Sequence, residues 1–236
     1  MTPTPDAMKR RAAAEAMTLV ADGMTLGLGT GSTAAHFIDL LGEAVREGLS
    51  VQGVPTSEDT RRRAEAAGVE IVEPDETTAI DLAVDGADEV DARGDLIKGG
   101  GGALLREKIV AAAAKRFVVI ADISKKVVEL GAFPLPVEID RFAYGLTARR
   151  IREALIAQGL PGEIALRHRP DGTAFVTDGG NLIIDCKARR IHEPALLDRA
   201  LKNIPGVVET GLFLRMAERI IFGTAQGVET LAPPAR

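Results

Sequence analysis

The 236-residue chain has one cysteine, no tryptophan, one tyrosine and only 3% aromatic residues. No apolar run approaches the roughly 18 residues of a membrane-spanning helix. With Cys186 alone, no intramolecular disulfide and no cysteine-based metal cluster can form, and its place after Ile183, Ile184 and Asp185 marks it as a small buried hydrophobe. Scarce aromatics exclude platforms on which nucleic-acid bases stack. An excess of positive charge is missing too: 29 Lys+Arg against 34 Asp+Glu leave a net charge of -5, the wrong sign for a nucleic-acid footprint. His36, His168 and His192 lie far apart and lack metal-ligand spacing, so they read as structural or solvated. Residues 1–11 carry charges but no apolar signal segment, and a cytoplasmic enzyme that engages neither membrane nor nucleic acid is expected.

What the chain has is 46% hydrophobic residues in a length that can bury a real core. Short apolar strands (24–28, 51–54, 69–72, 80–84, 116–120) alternate with helical patterns (7–20, 34–45, 58–67, 103–115) over the first half. Such alternation predicts an α/β fold, a Rossmann-like, mostly parallel sheet flanked by helices. Prolines at 134 and 136 break the pattern, and a boundary is expected near residue 130. Beyond it, a strand at 137–139, a helix at 147–157, strands at 163–167, around Phe175 and at 182–185, a helix at 194–202 and a strand at 207–213 predict a smaller ferredoxin-like α+β domain. Asp178-Gly179-Gly180-Asn181 reads as its hairpin turn. The expected division is 1–130 for the Rossmann-like catalytic domain, 131–206 for the inserted domain, and 207–236 returning to the first, with a last strand at 219–222.

Chemistry concentrates between residues 85 and 108. Asp85-Gly86-Ala87-Asp88-Glu89-Val90-Asp91 follows an apolar strand, and Lys98-Gly99-Gly100-Gly101-Gly102 precedes a helix. Ligands of open α/β sheets sit beyond the carboxyl ends of the strands, and glycines let the backbone approach them closely. On the helix, Glu107 shares a face with Ala103, Val110, Ala111 and Ala114 and has no cationic partner four residues away. Desolvation there would raise its pKa toward that of a general base, while a capping or lysine-paired glutamate is the alternative.

A second glycine turn, Gly27-Leu28-Gly29-Thr30-Gly31-Ser32-Thr33, joins a strand to a helix and reads as a phosphate cradle. It is not a dinucleotide fingerprint, because serine stands where the third glycine or alanine belongs and the next strand ends without an acidic residue. No Gly-Lys-Ser/Thr follows, so it is not a Walker A loop either. Thr56 and Ser57 end another strand and serve as a helix cap, a ligand contact, or both. Lys125 joins the same rim after the strand at 116–120.

Taken in order, residues 27–33, 85–91, 98–108 and 121–125 resemble the ribose-5-phosphate isomerase family of the A type, and the resemblance extends to Phe133-Pro134-Leu135-Pro136 and Ile204-Pro205-Gly206-Val207-Val208. It implies reversible aldose-ketose isomerisation of D-ribose 5-phosphate and D-ribulose 5-phosphate in the pentose phosphate pathway. The family's proton-transfer base matches Glu107. Its substrate loops match Thr30-Gly31-Ser32-Thr33, Asp85-Gly86-Ala87-Asp88 and Lys98-Gly99-Gly100-Gly101, with Lys125 a further contact and Lys9 a looser match to a phosphate-side lysine. Lys98 would stabilise charge on the carbonyl oxygen, and Asp85 and Asp88 would handle hydroxyl protons and ring opening. A departure is the four-glycine run continuing Ala-Leu-Leu-Arg-Glu, where the family often has three glycines and a threonine before the arginine. No cofactor and no metal is expected, although Asp85, Asp88, Glu89 and Asp91 would be the ligands if a cation were bound. The family also implies a homodimer. Two other readings remain: a sugar-phosphate sensor, which would carry a basic DNA-binding segment, and a CoA-transferase-like enzyme, in which the Asp85 loop would lack a purpose.

Overall fold

Pro5 and the capping hydroxyl of Thr4 start the first helix, and the computed structural model describes residues 4–233. In chain order the first half contains α1 (Pro5–Met17), β1 (Thr25–Leu28), α2 (Ser32–Arg46), β2 (Gln52–Pro55), α3 (Glu58–Ala67), β3 (Glu70–Ile71) and β4 (Leu82–Asp85). Next come β5 (Glu89–Val90), β6 (Leu96–Ile97), α4 (Leu104–Ala113), β7 (Phe117–Asp122) and a 3-10 turn at Ile123–Lys125. The rest comprises β8 (Leu135–Ile139), α5 (Tyr144–Ala157), β9 (Ile164–Leu166), β10 (Leu182–Cys186), α6 (Pro194–Lys202), β11 (Val207–Thr210), β12 (Leu212–Phe213), β13 (Arg219–Gly223) and β14 (Val228–Leu231). These elements fall into two compact units. The first holds the described residues up to Ala87, Arg106–Lys126 and the described residues from Arg215; the second holds Asp88–Leu105 and Val127–Leu214.

The first unit is built on a seven-stranded sheet in the order β14-β13-β7-β4-β1-β2-β3. Every neighbouring pair is parallel except β13 with β14. β4 and β7 are buried along their whole length, which explains why they read as unbroken apolar runs rather than alternating ones. Leu26, Leu28, Val84, Val118, Ile120 and Ile221 meet Phe37, Ile38 and Leu41 of α2 and the alanine face of α1 in one core. Each large side chain so buried contributes roughly 1.5–3 kcal/mol. α3 is closed at both ends by its own sequence: Ser57 Oγ accepts the Thr60 N–H at 3.0 Å, and Gly68 takes the left-handed conformation after the last turn. Because β1, β2, β4 and β7 run parallel, the residues following them lie along one edge of this sheet.

The second unit contains the succession β8-α5-β9-β10-α6-β11, with an antiparallel sheet ordered β11-β8-β10-β9. That is the ferredoxin-like arrangement the sequence predicts. Its core joins Val137, Ile139 and Ile184 to Ile151 and Leu155 of α5 and Leu197 and Leu201 of α6. Cys186 lies in this core, where burial pushes its thiol pKa up. A separate three-stranded sheet, β12-β6-β5, carries the chain toward Lys98.

Two strand expectations are corrected. The run 207–213 is two strands in two sheets: it breaks at Gly211, whose N–H donates to Pro136 O at 2.7 Å and whose carbonyl accepts from Lys98 N at 2.9 Å. Around Phe175 there is only an isolated bridge, His168 to Ala174.

Candidate active site

Within the first unit, the turn after β1 is shaped by what surrounds it. Asp85, the last residue of β4 and 3% exposed, accepts the Thr30 N–H at 3.1 Å and the Gly86 N–H at 2.6 Å on Oδ1. Only glycine fits at position 29, since a Cβ there would lie 2.1 Å from that same oxygen. Thr30 Oγ1 lies 2.8 Å from Thr56 Oγ1, 2.9 Å from Ser57 Oγ and 3.2 Å from Thr60 Oγ1. Thr56 and Thr60 return their hydroxyls to the backbone at Leu28 O and Gly29 O. Ser57 is therefore a helix cap, and Thr56 belongs to a buried hydroxyl cluster that fixes the turn. Gly31, at φ 106°, caps α2 without a side-chain hydrogen bond, leaving the helix N-terminus to the exposed Gly31-Ser32 stretch. Lys9 of α1 reaches this point, its Nζ 2.9 Å from Ser32 Oγ.

Gly86 and Ala87 continue from β4, half-buried, with Thr33 Cβ and the Thr30 carbonyl within 4.0 Å of where a Gly86 Cβ would stand. At the end of β7, Asp122 caps the 3-10 turn by accepting the Ser124 N–H at 3.0 Å, and Lys125 closes that turn. Lys125 makes no ion pair among the described residues, so its ammonium is available to an anion. Glu107 is 3% exposed in the first turns of α4. Its helical neighbours Val110 and Ala111 are buried as the spacing predicts. α4 sits close over the sheet because position 27 is glycine: a Cβ there would lie 2.5 Å from Val110 Cγ1. Oε2 of Glu107 is buried and accepts no hydrogen bond from the described residues, although the residue as a whole has polar interactions.

Within the second unit, Lys98 follows β6 and is 2% exposed, with Nζ 5.3 Å from the centre of the Phe213 ring. Asp88 ties the two ends of its own loop: its N–H donates to Ile97 O at 2.8 Å and its Oδ2 accepts the Gly100 N–H at 2.7 Å. The glycine run needs glycine for packing as well as for conformation. Gly99 and Gly102 have φ of 104° and 81°, and a Cβ at Gly102 would lie 2.4 Å from the Phe175 ring. Gly101 continues the run, exposed.

The other acidic residues of the 85–91 stretch have structural work. Glu89, buried, accepts the N–H groups of Gly131 at 2.7 Å and Phe133 at 2.6 Å. Asp91 Oδ1 accepts those of Arg93 and Asp95, both at 2.9 Å, in a tight turn. Among the described residues no group of three or more His, Cys, Asp or Glu is arranged to hold a metal ion. His36 pairs with Asp6 at 2.9 Å on the α1–α2 contact.

Sequence reasoning missed Phe213 beneath Lys98, and it missed Arg167. The Arg167 guanidinium donates to Gly99 O at 2.7 Å and Gly100 O at 3.2 Å. Neither residue is near the glycine run in sequence, so no local spacing points to them.

Known proteins with this sequence pattern and fold agree with one another. The family model for ribose 5-phosphate isomerase A (phosphoriboisomerase A) matches residues 52–227. A ribose-5-phosphate isomerase A of Rhodopseudomonas palustris is 55% identical over 95% of this chain and 97% of its own length. That of Nitrobacter hamburgensis is 54% identical over 97% of this chain and 98% of its own. Among solved structures, a D-ribose-5-phosphate isomerase in complex with phospho-erythronic acid superposes with a TM-score of 0.91 at 41% identity, covering 98% of this chain and 100% of that one. Ribose 5-phosphate isomerase A of Methanocaldococcus jannaschii does so at 0.89 and 42%, covering 97% and 100%. With matches of this identity along nearly the whole of both partners, the chain belongs to the ribose 5-phosphate isomerase A family of sugar-phosphate isomerases.

Proposed function

We propose that this chain interconverts D-ribose 5-phosphate and D-ribulose 5-phosphate, as a cytoplasmic homodimer of the pentose phosphate pathway, with Glu107 carrying the proton between C2 and C1. The observation that carries the residue assignment is the burial of Glu107, a carboxylate 3% exposed on a helix face of small apolar side chains, one helical step beyond a glycine run. A glutamate on a solvated helix face would do none of this chemistry.

In the forward direction the open-chain aldose loses its C2 proton to the Glu107 carboxylate, and electron density moves onto O1. Lys98 and the backbone N–H groups of Gly99 and Gly101 stabilise that enediolate, a contribution of about 3–4 kcal/mol for one well-placed donor. Glu107 then returns the proton to C1 while the O2 proton passes to O1, leaving the ketone at C2. Asp85 and Asp88 handle the hydroxyl protons and the opening of the furanose ring. The phosphate sits at the α2 N-terminus, on Thr30, Gly31, Ser32 and Thr33, with Lys9 and Lys125 as cations. The Lys9 to Ser32 hydrogen bond supports this, since it brings a cation to the exposed start of the helix. Gly86 and Ala87 contribute the backbone of the Asp85 loop. No cofactor and no metal takes part in this reading.

The test is Glu107→Gln, which keeps the shape of the side chain. It should bind phospho-erythronic acid, whose planar carboxylate resembles the enediolate, about as well as the wild type, while kcat falls by about 100- to 10,000-fold. Retention of more than about a tenth of kcat would remove Glu107 as the base. Light scattering should give twice the 24.9 kDa chain mass.

A further inference from the structure

Four consecutive glycines, 99 to 102, are the most permissive backbone in the chain, and freezing them into one shape is entropically costly. Something outside the run must hold it. The peptide unit between Gly99 and Gly100 is gripped at both poles: Arg167 Nη1 donates to the Gly99 carbonyl at 2.7 Å, and Asp88 Oδ2 accepts the Gly100 N–H at 2.7 Å. The next unit is held at its carbonyl, Gly100 O, by the same Arg167 nitrogen at 3.2 Å. Since C=O and N–H point opposite ways in a trans peptide, this turns the Gly101 N–H away from Arg167.

The guanidinium is itself immobilised. Its Nε donates to Asp185 Oδ2 at 2.9 Å and its Nη2 to Asp185 Oδ1, a two-point ion pair between side chains 14% and 24% exposed. Such a fork is planar and far less floppy than a surface pair. The Phe175 ring lies 5.9 Å from Arg167 Cζ and also fills the space beside Gly102. Arg167 follows β9 and Asp185 lies in β10, so the brace is anchored in the antiparallel sheet.

We propose that Arg167, clamped by Asp185, is a positioning residue that holds the glycine run in the shape its substrate-binding N–H groups require. The inference rests on residues 98–101 being a substrate loop, as assigned above. Arg167 does not touch the reacting atoms. It acts through the loop, and a lysine in its place would offer one donor nitrogen where the three nitrogens of the fork make four bonds to carbonyls and carboxylate at once.

The experiment compares Arg167→Met, Arg167→Lys and the charge-balanced pair Arg167→Met with Asp185→Asn. For each, kcat and KM for D-ribose 5-phosphate and the melting temperature are measured, together with amide hydrogen exchange over residues 98–102. The expected result is a fall in kcat/KM of about 10- to 100-fold in the methionine variants, the size of a lost charge-assisted hydrogen bond. The lysine variant should fall between them and the wild type, and all should show faster exchange in the glycine run. A folded variant with kcat/KM within twofold of wild type, or with unchanged exchange there, overturns the proposal. If Arg167→Met does not fold, the lysine variant, which keeps the positive charge, decides by the same readouts. Wild-type turnover is read first and tests the isomerase assignment separately; were it absent, that assignment would fall, and loop exchange alone would decide whether Arg167 braces the run.

Discussion

Gly29→Ala places a methyl group where the sheet has no room for it. The new Cβ would lie 2.1 Å from Asp85 Oδ1, 2.3 Å from its Cγ and 2.6 Å from its Cα. A carboxylate can swing aside, but the Cα belongs to β4, which is paired with β1 on one side and β7 on the other. Opening the last contact from 2.6 Å to an ordinary 3.4 Å means moving a central strand end by ~0.8 Å. Overpacking of that kind costs about 1–3 kcal/mol. Asp85 would also slip from the N–H groups of Thr30 and Gly86, each worth about 1 kcal/mol, so a total loss of about 3–5 kcal/mol is expected. Urea unfolding followed by far-UV circular dichroism measures it, and kcat/KM for D-ribose 5-phosphate should fall in the same variant because both the phosphate turn and Asp85 move. Gly145→Ala is the control: this α5 glycine has nothing within 4 Å of the added methyl, and the change should be neutral or stabilising by up to about 1 kcal/mol. Gly29→Ala within 0.5 kcal/mol of wild type, measured to about that precision, and with full activity, would refute the close-approach argument.

Lys9→Met and Lys125→Met should each raise KM by about tenfold, the loss of one cation from a phosphate, with kcat changed far less. An unchanged KM in either removes that lysine from the phosphate site. Activity should survive EDTA and dialysis, because Glu89 and Asp91 already accept backbone N–H groups; activity restored only by added magnesium or manganese would return those carboxylates to the role of ligands. Asp81 ties β4 to β1 through the Thr25 N–H at 3.0 Å, and its pKa is held below the ordinary 3.8 chiefly by the Lys115 hydrogen bond. A depressed carboxylate stabilises above its unfolded pKa and loses this as pH falls through the folded one. Asp81→Asn should thus cost about 1 kcal/mol at pH 7, with the gap from wild type closing below pH 3.8, as acid unfolding at several pH values would show.

The parts of the fold that were legible in sequence are those in which one short stretch carries its own signal. α3 spans the expected 58–67 because Ser57 and Gly68 bound it. α6 spans the expected 194–202 because a proline opens it and one apolar side, Leu197 and Leu201, packs inward. β5 and β6 are two residues each, too short for any periodicity, and β14 has a mostly exposed face that offers no apolar run. The break at Gly211 depends on Pro136 and Lys98, some 75 and 113 residues away in the chain, so a continuous apolar pattern concealed a change of sheet. In the same way the burial of Glu107 was legible in the spacing of its own helix, whereas the Arg167–Asp185 pair depends on a pairing of strands that no local window contains.

The run of acids from Asp85 to Asp91 shows why charge density alone is a poor guide to a metal or a catalytic cluster. Carboxylates this close in sequence should repel one another, and the chain resolves the conflict by giving each carboxylate a different set of backbone donors. Asp85 takes Thr30 and Gly86, Asp88 takes Gly100, Glu89 takes Gly131 and Phe133, and Asp91 takes Arg93 and Asp95. Those N–H groups belong to turns and loops, where no helix or sheet partner exists, and leaving them buried and unmade would cost about 1–3 kcal/mol apiece. The acids are therefore staples first. What separates the four is which loop each one staples: Glu89 and Asp91 secure segments that carry none of the proposed substrate contacts, while Asp85 secures the turn at Thr30 and Asp88 secures the glycine run. Substituting either of the latter perturbs a binding loop even before any proton is transferred. A kinetic defect in Asp85→Asn or Asp88→Asn thus counts as chemistry only if phospho-erythronic acid still binds normally to the same variant.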